Sequence, residues 1–129
     1  MGTIVKVDVI IAVHNAQETL EETVKSAMHQ EIPSNLLTSL SDVTFDVAVC
    51  CYNDASTDKS IEILYALKEE YANNANVSSQ HDESKLLTNT TLLIGTAKEG
   101  SISRGAGHAR NEAVKLRDIN TADTNDNTD

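Results

Sequence analysis

The sequence predicts an α/β fold, in which a mostly parallel sheet forms the middle of three layers and helices cover its faces. Three short runs rich in Val, Ile and Leu alternate along the chain with three segments of helical periodicity. An alternation of this kind produces parallel strands joined by right-handed crossovers. The chain has 129 residues, of which 40% are hydrophobic and only 3% aromatic, so it can form one domain with an aliphatic core. Such sheets bind ligands beyond the carboxyl ends of their strands.

The first strand–helix unit opens the chain. Residues 4–13 are rich in β-branched side chains and nearly continuously apolar, as in a strand that is buried on both faces. An apolar stripe at helical spacing then predicts a helix, and it comprises Ala16, Leu20, Val24, Ala27 and Met28. Asn15 is the expected N-cap of this helix, and Pro33 prevents its continuation.

Two further strand–helix units follow. Residues 45–52 predict the second strand, the turn-forming residues 53–58 come next, and a helix is expected from Ser60. Residues 91–95 predict the third strand, and a loop over 96–107 leads into a helix over 106–116. The polar segments 31–44 and 72–89 predict loops between these units. We assign residues 1–117 to one domain and expect the polar acidic tail, residues 118–129, to be disordered.

The charge balance excludes several classes of partner. Ten Lys and Arg against twenty Asp and Glu give a formal net charge of −10. This charge repels phosphate backbones and anionic lipids, so we expect neither nucleic acid nor a membrane as the partner. The sequence shows no signal peptide and no apolar run long enough to span a bilayer. The adjacent Cys50 and Cys51 suit buried, reduced thiols, and we therefore expect a cytoplasmic protein.

Several well-defined catalytic and binding motifs are missing. The run from Gly105 starts like the dinucleotide fingerprint G-x-G-x-x-G, but Arg110 stands where its third glycine belongs. There is no P-loop and no G-x-S-x-G nucleophile elbow. The four histidines are scattered over unlike segments without the spacing of zinc ligands. These absences disfavour a Rossmann dehydrogenase, a P-loop enzyme and a zinc or serine hydrolase.

Charged side chains remain as candidates at the predicted strand ends. Asp54 and Asp58 flank the turn after the second strand, where a carboxylate can accept a hydrogen bond from a nucleobase ring N–H, or can simply close an Asx turn and cap a helix. Arg104 and Arg110 flank the start of the last helix, where they can receive a phosphate or be solvated surface charges. His14 can contact a base or be an ordinary hydrogen-bonded loop histidine.

Three segments taken together resemble a known family. They are VDVIIAVHNAQETLEETVKSAMHQ, then DVAVCCYNDASTDKSIEIL, then RGAGHARNEAVKL. In this order they resemble the N-terminal, nucleotide-binding half of a family 2 glycosyltransferase of the GT-A fold, a Rossmann-like arrangement. The usual elements of that family are V-S-V-I-I-P-V-Y-N-A, V-D-D-G-S-T-D-x-S and G-x-x-x-A-R-N-x-G-L. The details resemble most closely one branch, the β-1,3-N-acetylglucosaminyltransferase-like protein 1 group.

The resemblance implies nucleotide-binding roles for five positions. Asp54 matches the second aspartate of the D-D turn, which typically holds the imide N–H of the base. His14 matches the tyrosine that borders the base, and Ala12 takes the place of the preceding proline. Arg110 matches the arginine of the A-R-N element, which lies near the nucleotide. Asn53 replaces the first aspartate of the D-D turn.

One departure from the family concerns its metal. The family binds a divalent ion, Mn or Mg, through a D-x-D element that follows an apolar strand, and this ion neutralises the diphosphate leaving group. No D-x-D occurs in this sequence. The aspartates that follow the last predicted helix are Asp118, Asp123, Asp126 and Asp129. No two of them stand two positions apart, so we expect metal ligands and catalytic residues to be absent from this chain.

The resemblance therefore implies an incomplete glycosyltransferase domain. The expected ligand is a nucleotide-sugar, in particular a UDP-sugar, whose hexosyl group the parent reaction transfers to an acceptor hydroxyl with inversion. We expect the 129-residue chain alone to be inactive, as a truncated or degenerate form. The alternative is a non-catalytic α/β module that binds a nucleotide or a protein partner. An incomplete sheet also predicts an exposed edge and self-association through it.

Overall fold

Three parallel strands in the order β1-β2-β3 form one open sheet. The computed structural model describes residues 2–30, 42–73 and 87–119, with the side chains of residues 87 and 88 left out. The elements in chain order are β1 Thr3–Val13, α1 Leu20–Met28, β2 Val43–Asn53, α2 Ser60–Asn73, β3 Leu87–Thr96 and α3 Ala106–Val114. A further helical turn covers residues 116–119. The predicted α/β fold is thus confirmed.

The first helix begins later than predicted. It starts at Leu20 rather than near Ala16, and its N-cap is Thr19, so the expectation that Asn15 caps it is wrong. Asn15 has a φ of 49°, in the left-handed region, and its side-chain oxygen accepts the backbone N–H of Thr57 at 2.7 Å. The Asn15 side chain is therefore committed to the loop after β2, and the chain needs several more residues before it can turn into a helix.

The strands are longer than their apolar runs. β3 begins at Leu87 and so includes the polar residues Asn89 and Thr90, although residues 91–95 alone were predicted. β3 lies at one edge of the described sheet, where only one side of the strand has a hydrogen-bonding neighbour. Polar side chains are tolerated there because part of the strand remains in contact with water.

Helices cover the two faces of the sheet unequally. α1 and α2 pack on one face over a large aliphatic core, whose fully buried members include Val13, Leu20, Val24, Val49 and Leu64. α3 and the turn after it cover the other face, where the buried residues are Ala48, Cys50, Ala113 and Leu116. Gly95 allows the close approach of Leu116, since a Cβ at this glycine would lie 2.8 Å from Leu116 Cδ2.

The two adjacent cysteines lie on opposite faces of β2. Cys51 belongs to the core under α1 and α2, whereas Cys50 belongs to the core under α3. Both thiols are free and fully buried. Burial raises the pKa of Cys50 to about 11 and that of Cys51 to about 12, with smaller contributions from Asp8 and from Cys50, respectively. These thiols are protonated core residues at neutral pH, as the alternation of side chains along a strand predicts.

Arg117 ties the turn after α3 to the first two strands. Its Nε donates to Asp8 Oδ1 at 2.7 Å, and its Nη1 donates to Asp46 Oδ2 at 3.0 Å. Its Nη2 also donates to the backbone oxygens of Val7 and Asp46, at 3.1 and 3.0 Å. This guanidinium joins three distant parts of the chain, a role that the sequence did not indicate.

Met1 and three longer segments lie outside the described residues, and these segments are 31–41, 74–86 and 120–129. The predicted loops 31–44 and 72–89 fall largely there, and so does the acidic tail apart from Asp118 and Ile119, which belong to the last helical turn. Within the described ranges, no helix has the length and apolar character needed to cross a membrane.

Candidate functional site

The loops that follow the three strands meet at the carboxyl edge of the sheet. We call this region the strand-end site and define it as residues 14–17 after β1, 53–60 after β2 and 96–105 after β3. Its position is the one at which open parallel sheets bind ligands. The convergence of these loops, predicted from the order of the strands, is therefore present in the structure.

Asn15 joins the first loop to the second. Its Oδ1 accepts the backbone N–H groups of Thr57 and Asp58, at 2.7 and 3.3 Å, and the Thr57 hydroxyl at 3.3 Å. In the opposite direction, the Asn15 N–H donates to Ser56 Oγ at 2.9 Å. Asparagine suits this position because it tolerates a positive φ and carries a short amide that can bond nearby backbone. Each of the two loops thus binds the backbone of the other through a side chain.

A second set of reciprocal hydrogen bonds lies beside the first. Asp58 accepts the N–H of Gln17 at 3.1 Å and that of Ser60 at 2.9 Å. Gln17 Oε1 in turn accepts the N–H of Lys59 at 2.9 Å, and the buried Ser60 hydroxyl accepts the N–H of Ala16 at 2.9 Å. Asp58 therefore caps the start of α2, which is one of the roles considered for it from the sequence, and it also binds the first loop.

Asp54 joins the second loop to the third. Its carboxylate is 2% exposed and accepts the Ser103 hydroxyl at 2.7 Å. The Arg104 N–H lies 3.0 Å from both carboxylate oxygens, and the Gly105 N–H lies 2.9 Å from Oδ2. Gly105 precedes α3 and has no side-chain cap of its own. Asp54 therefore provides, from another loop, the negative charge that stabilises a helix N-terminus.

The hydrogen bonds at the two aspartates stabilise their charged forms. Burial alone raises the pKa of Asp54, but the N–H groups of Arg104 and Gly105 and the Ser103 hydroxyl outweigh it, so the net pKa is lowered. At Asp58, burial likewise raises the pKa, and the hydrogen bonds from Ser60 and Gln17 bring it below the usual value. Both carboxylates are ionised at neutral pH and engaged with backbone of neighbouring loops.

Asn53 completes the connection between the second and third strands. It is 5% exposed, and its Nδ2 donates to Thr96 Oγ1 at 3.0 Å. Its backbone oxygen accepts the N–H of Ala97 at 2.9 Å, and its side-chain oxygen accepts the N–H of Ser56 at 3.4 Å. An amide suits this position better than a carboxylate because Asn53 must donate as well as accept.

The other sequence-predicted site residues lie around this network. His14 is exposed, and its Nδ1 donates to the backbone oxygen of Asp54 at 2.9 Å, so Nδ1 carries the proton in the neutral ring. Ala12 is half-buried in β1 and pairs in register with Tyr52. Arg110 is exposed on α3, in the same helix that begins beside Asp54. The structure brings Asp54, His14 and Asn53 together, with Arg110 on the adjoining helix.

An aromatic contact borders the site on the α3 side of the sheet. Tyr52 and His108 meet edge to face, with ring centroids 5.9 Å apart. Burial is the largest cause that raises the pKa of Tyr52, followed by the nearby carboxylates of Glu112 and Asp54. Sequence analysis missed this pair and Ser103, and it assigned Asn15 to a helix cap instead of a contact between loops. A usable signal existed only for Tyr52, which directly precedes the turn that carries Asp54.

A divalent metal does not fit the residues that the structure describes. They contain no group of three or more His, Cys, Asp or Glu side chains able to hold an ion together. The most buried carboxylate, Asp54, is occupied by N–H and O–H donors, and these would oppose a cation at the same oxygens. Any metal ligands of the kind implied by the resemblance would have to come from outside the described residues.

Comparison with known proteins identifies relatives of this segment. Residues 8–114, which include all three loops, match the family model described as glycosyl transferase family 2. A poly(ribitol-phosphate) beta-glucosyltransferase from Bacillus spizizenii is 25% identical over 111 residues, or 86% of this chain. That segment is 13% of the length of the Bacillus enzyme, so the chain spans only a small part of this relative. No solved structure matches the chain significantly.

Proposed function

Because this chain belongs to glycosyltransferase family 2, we propose that its strand-end site is the nucleotide-binding half of a glycosyltransferase site, which takes a UDP-sugar donor. The single observation that supports this most is the hydrogen-bonded convergence of all three loops around Asp54. A ligand-binding site on loops requires that a rigid scaffold hold these loops in one arrangement. The hydrogen bonds around Asp54 hold the three loops in this way. Hexosyl transfer to an acceptor hydroxyl, and membership of the β-1,3-N-acetylglucosaminyltransferase-like branch, belong to this proposal.

In this proposal Asp54 acts through the loop that it holds. Its carboxylate is 2% exposed and receives hydrogen bonds from three successive residues, so a base has no open face to approach. Asn53 is 5% exposed, and its hydrogen bond to Thr96 likewise holds the start of the third loop in place. Both are positioning residues, and the direct base contact implied for Asp54 by the resemblance stays a prediction that can be tested against this role.

Direct contacts with the nucleotide are assigned to exposed side chains. The His14 ring is fixed by its bonds to the Asp54 backbone and to Asn15 Nδ2, and it is exposed, so a uracil ring can lie against its face. The Arg110 guanidinium is exposed on α3 and supplies positive charge for a diphosphate in a chain that is otherwise acidic. Ala12, beside Tyr52, contributes a small apolar surface at the end of β1.

Calorimetric titration of the whole chain with UDP tests the proposal. We expect binding, and we expect Arg110→Ala to weaken it by about tenfold or more, because a hydrogen bond to a charged group contributes roughly 1.5–3 kcal/mol. Lys115→Ala is the matched control, since it removes one exposed cation from the residue directly after α3. Absence of UDP binding by the folded chain, or equal losses in both variants, would contradict the proposal.

A comparison of UDP with CDP separates the two roles of Asp54. If Asp54 contacts the base, Asp54→Asn should move the preference toward CDP, because an amide can donate to the ring nitrogen of cytosine whereas a carboxylate cannot. If Asp54 positions the loop, as we propose, the substitution should weaken both ligands equally. Binding without sugar transfer, measured with a UDP-sugar and added metal, is the expected behaviour of the 129-residue chain. Transfer by this chain would refute its inactivity. UDP binding that neither Arg110→Ala nor Asp54→Asn weakens would contradict the proposed position of the nucleotide at the strand-end site.

A further inference from the structure

The third loop of the strand-end site carries an exposed isoleucine, Ile102. Its side chain is 80% exposed, the largest exposed fraction among the large apolar side chains that the structure describes. The flanking Ser101 and Ser103 are polar, so they form no apolar patch with it. Single apolar side chains on a surface are ordinary. What distinguishes Ile102 is that the backbone around it is held in place beside the proposed nucleotide.

Hydrogen bonds fix the backbone on both sides of Ile102. Before it, the Ser101 N–H donates to the backbone oxygen of Lys98 at 3.0 Å. After it, the Ser103 hydroxyl donates to the Asp54 carboxylate at 2.7 Å, and the N–H groups of the next two residues donate to the same carboxylate. A ligand that contacts Ile102 therefore does not have to order the loop first, which removes part of the entropic cost of binding.

The His14 ring is attached to the same aspartate. Its Nδ1 donates to the backbone oxygen of Asp54 at 2.9 Å, while the Asp54 carboxylate holds Ser103. Ser103 thus directs its side chain toward the buried Asp54, whereas the neighbouring Ile102 directs its side chain to solvent. The exposed ring of the first loop and the exposed isoleucine of the third loop therefore both lie beside one residue at the end of β2.

Ile102 is the one apolar side chain larger than alanine in the strand-end site, all of whose residues the structure describes. The other apolar side chains of the three loops belong to Ala16, Ala55 and Ala97. Small-molecule sites are lined mainly by apolar and aromatic side chains, with a few polar groups that fix the orientation of the ligand. A nucleobase has two flat faces, and the exposed His14 ring can cover one of them. Ile102 is the side chain that the loops offer for the other.

We propose that Ile102 packs against the nucleobase of the UDP-sugar donor, on the face that the His14 ring leaves open. This inference rests on the proposed function, because it assigns a second contact to the same ligand. The contact is apolar and forms no hydrogen bond, so its contribution to affinity follows the area of the base that it removes from water. Affinity for the base should therefore depend on the size of the side chain at position 102.

A size series at position 102 tests the contact by calorimetric titration with UDP. Ile102→Ala should raise the dissociation constant roughly five- to tenfold, because alanine lacks most of the apolar area that covers the base. Ile102→Leu keeps that area and should leave the constant within about twofold. Because the side chain is exposed, urea unfolding should give the same stability for all three proteins. Equal affinities of the unmodified chain and Ile102→Ala would overturn the proposal.

An introduced fluorophore tests the position directly, because the chain contains no tryptophan. Ile102→Trp places an indole ring beside the expected base. Val114→Trp is the matched control, at an exposed apolar position roughly 12 Å along α3 from the start of that helix. With excitation at wavelengths that uracil does not absorb, UDP should quench the indole of the Ile102→Trp variant and shield it from acrylamide. The fluorescence of the Val114→Trp variant should not change.

Calorimetry on the same variants separates failure of this inference from failure of the proposed function. If UDP binds both tryptophan variants but the fluorescence of Ile102→Trp does not respond, or if both variants respond equally, the contact with Ile102 is wrong while the proposed function stands. Loss of UDP binding in Ile102→Trp alone would support the contact, because the larger ring then obstructs the ligand. If UDP does not bind the unmodified chain, the proposed function fails and this inference fails with it.

Discussion

The backbone N–H of Arg104 lies 3.0 Å from both carboxylate oxygens of Asp54, a residue fifty positions earlier in the chain. This contact fixes the third loop, and with it the start of α3, against the end of β2. The first loop is fixed to the same turn through the bond between His14 and the Asp54 backbone. One buried aspartate thus connects all three parts of the strand-end site, and its removal should affect stability and binding together.

Asp54→Ala should lower the free energy of unfolding by about 3 kcal/mol, because it leaves the N–H groups of Arg104 and Gly105 without their charged acceptor. Asp54→Asn should cost less, since the amide oxygen can still accept one of them. Urea denaturation followed by circular dichroism measures both values. Asp42→Ala, at an exposed aspartate just before β2, is the control and should change stability by less than about 0.5 kcal/mol. Equal effects at the two positions would contradict the anchoring role of Asp54.

Asn15 should stabilise the fold both because it tolerates a positive φ and because its side chain accepts hydrogen bonds. Two substitutions separate these contributions to the free energy of unfolding. Asn15→Gly keeps the positive φ without strain but loses the acceptor for Thr57 and Asp58. Asn15→Ala loses both, so it should be the more destabilising variant, by roughly 1 kcal/mol beyond the glycine variant. Thermal or urea unfolding of the two variants checks this order. If alanine proved as stable as glycine, the positive φ would not be a constraint of the native loop.

Ala55 is the other described non-glycine residue with a positive φ, 58°, and it lies between Asp54 and Ser56. Ala55→Gly should leave stability unchanged or raise it by up to about 1 kcal/mol, because relief of strain offsets the added freedom of the unfolded chain. Ala66→Gly, at an exposed position within α2, should instead cost about 1 kcal/mol. Opposite signs for these two Ala-to-Gly changes are the expected result, and a similar loss at both positions would argue against a left-handed Ala55.

Acid should destabilise the strand-end site through Asp54 and Asp58, whose pKa values are lowered in the folded protein. The unfolded chain binds protons at these groups more readily, so their contribution is fully present above the unfolded pKa of about 3.9 and is lost as pH falls below it. Urea unfolding between pH 7 and pH 3 should therefore show a steeper loss in the original chain than in the Asp54→Asn, Asp58→Asn double variant. Parallel profiles for the two proteins would contradict this linkage.

The buried cysteines should be unreactive in the folded protein. With pKa values of about 11 and 12, Cys50 and Cys51 carry almost no thiolate at pH 8, and both side chains are fully buried. A colorimetric thiol reagent should react with them only after addition of denaturant. Above about pH 8.5 the unfolded thiols ionise while the folded ones do not, so stability should decline with rising pH. Rapid reaction of either thiol under native conditions would show that β2 is more open than described.

The aliphatic runs were sufficient to predict the strand and helix order, because residues such as Val49 and Leu64 occupy the core that their periodicity indicates. The role of Asn15 could not be predicted in this way. An asparagine after a strand has the same local sequence pattern whether it caps the next helix or binds a distant loop. Asp54 was identified as a site residue, but its partners Ser103 and Arg104 lie in a loop whose contacts depend on the tertiary fold. Arg117 carried no local signal, because its acceptors lie in β1 and β2.

The bridge formed by Arg117 has a consequence for the order of events during synthesis. Asp8 and Asp46 are made 109 and 71 residues before the arginine that neutralises them. At a translation rate of about 5–20 residues per second, Arg117 follows Asp46 by roughly 4–14 s, and until then Lys6, which lies opposite Asp46 in β1, is the neighbouring cation. During that interval the pair of β1 and β2 lacks the four hydrogen bonds that the guanidinium makes to Asp8, Asp46 and Val7. The pair of β1 and β2 should therefore reach its full stability only when the last described helical turn has been translated and Arg117 joins the two strands.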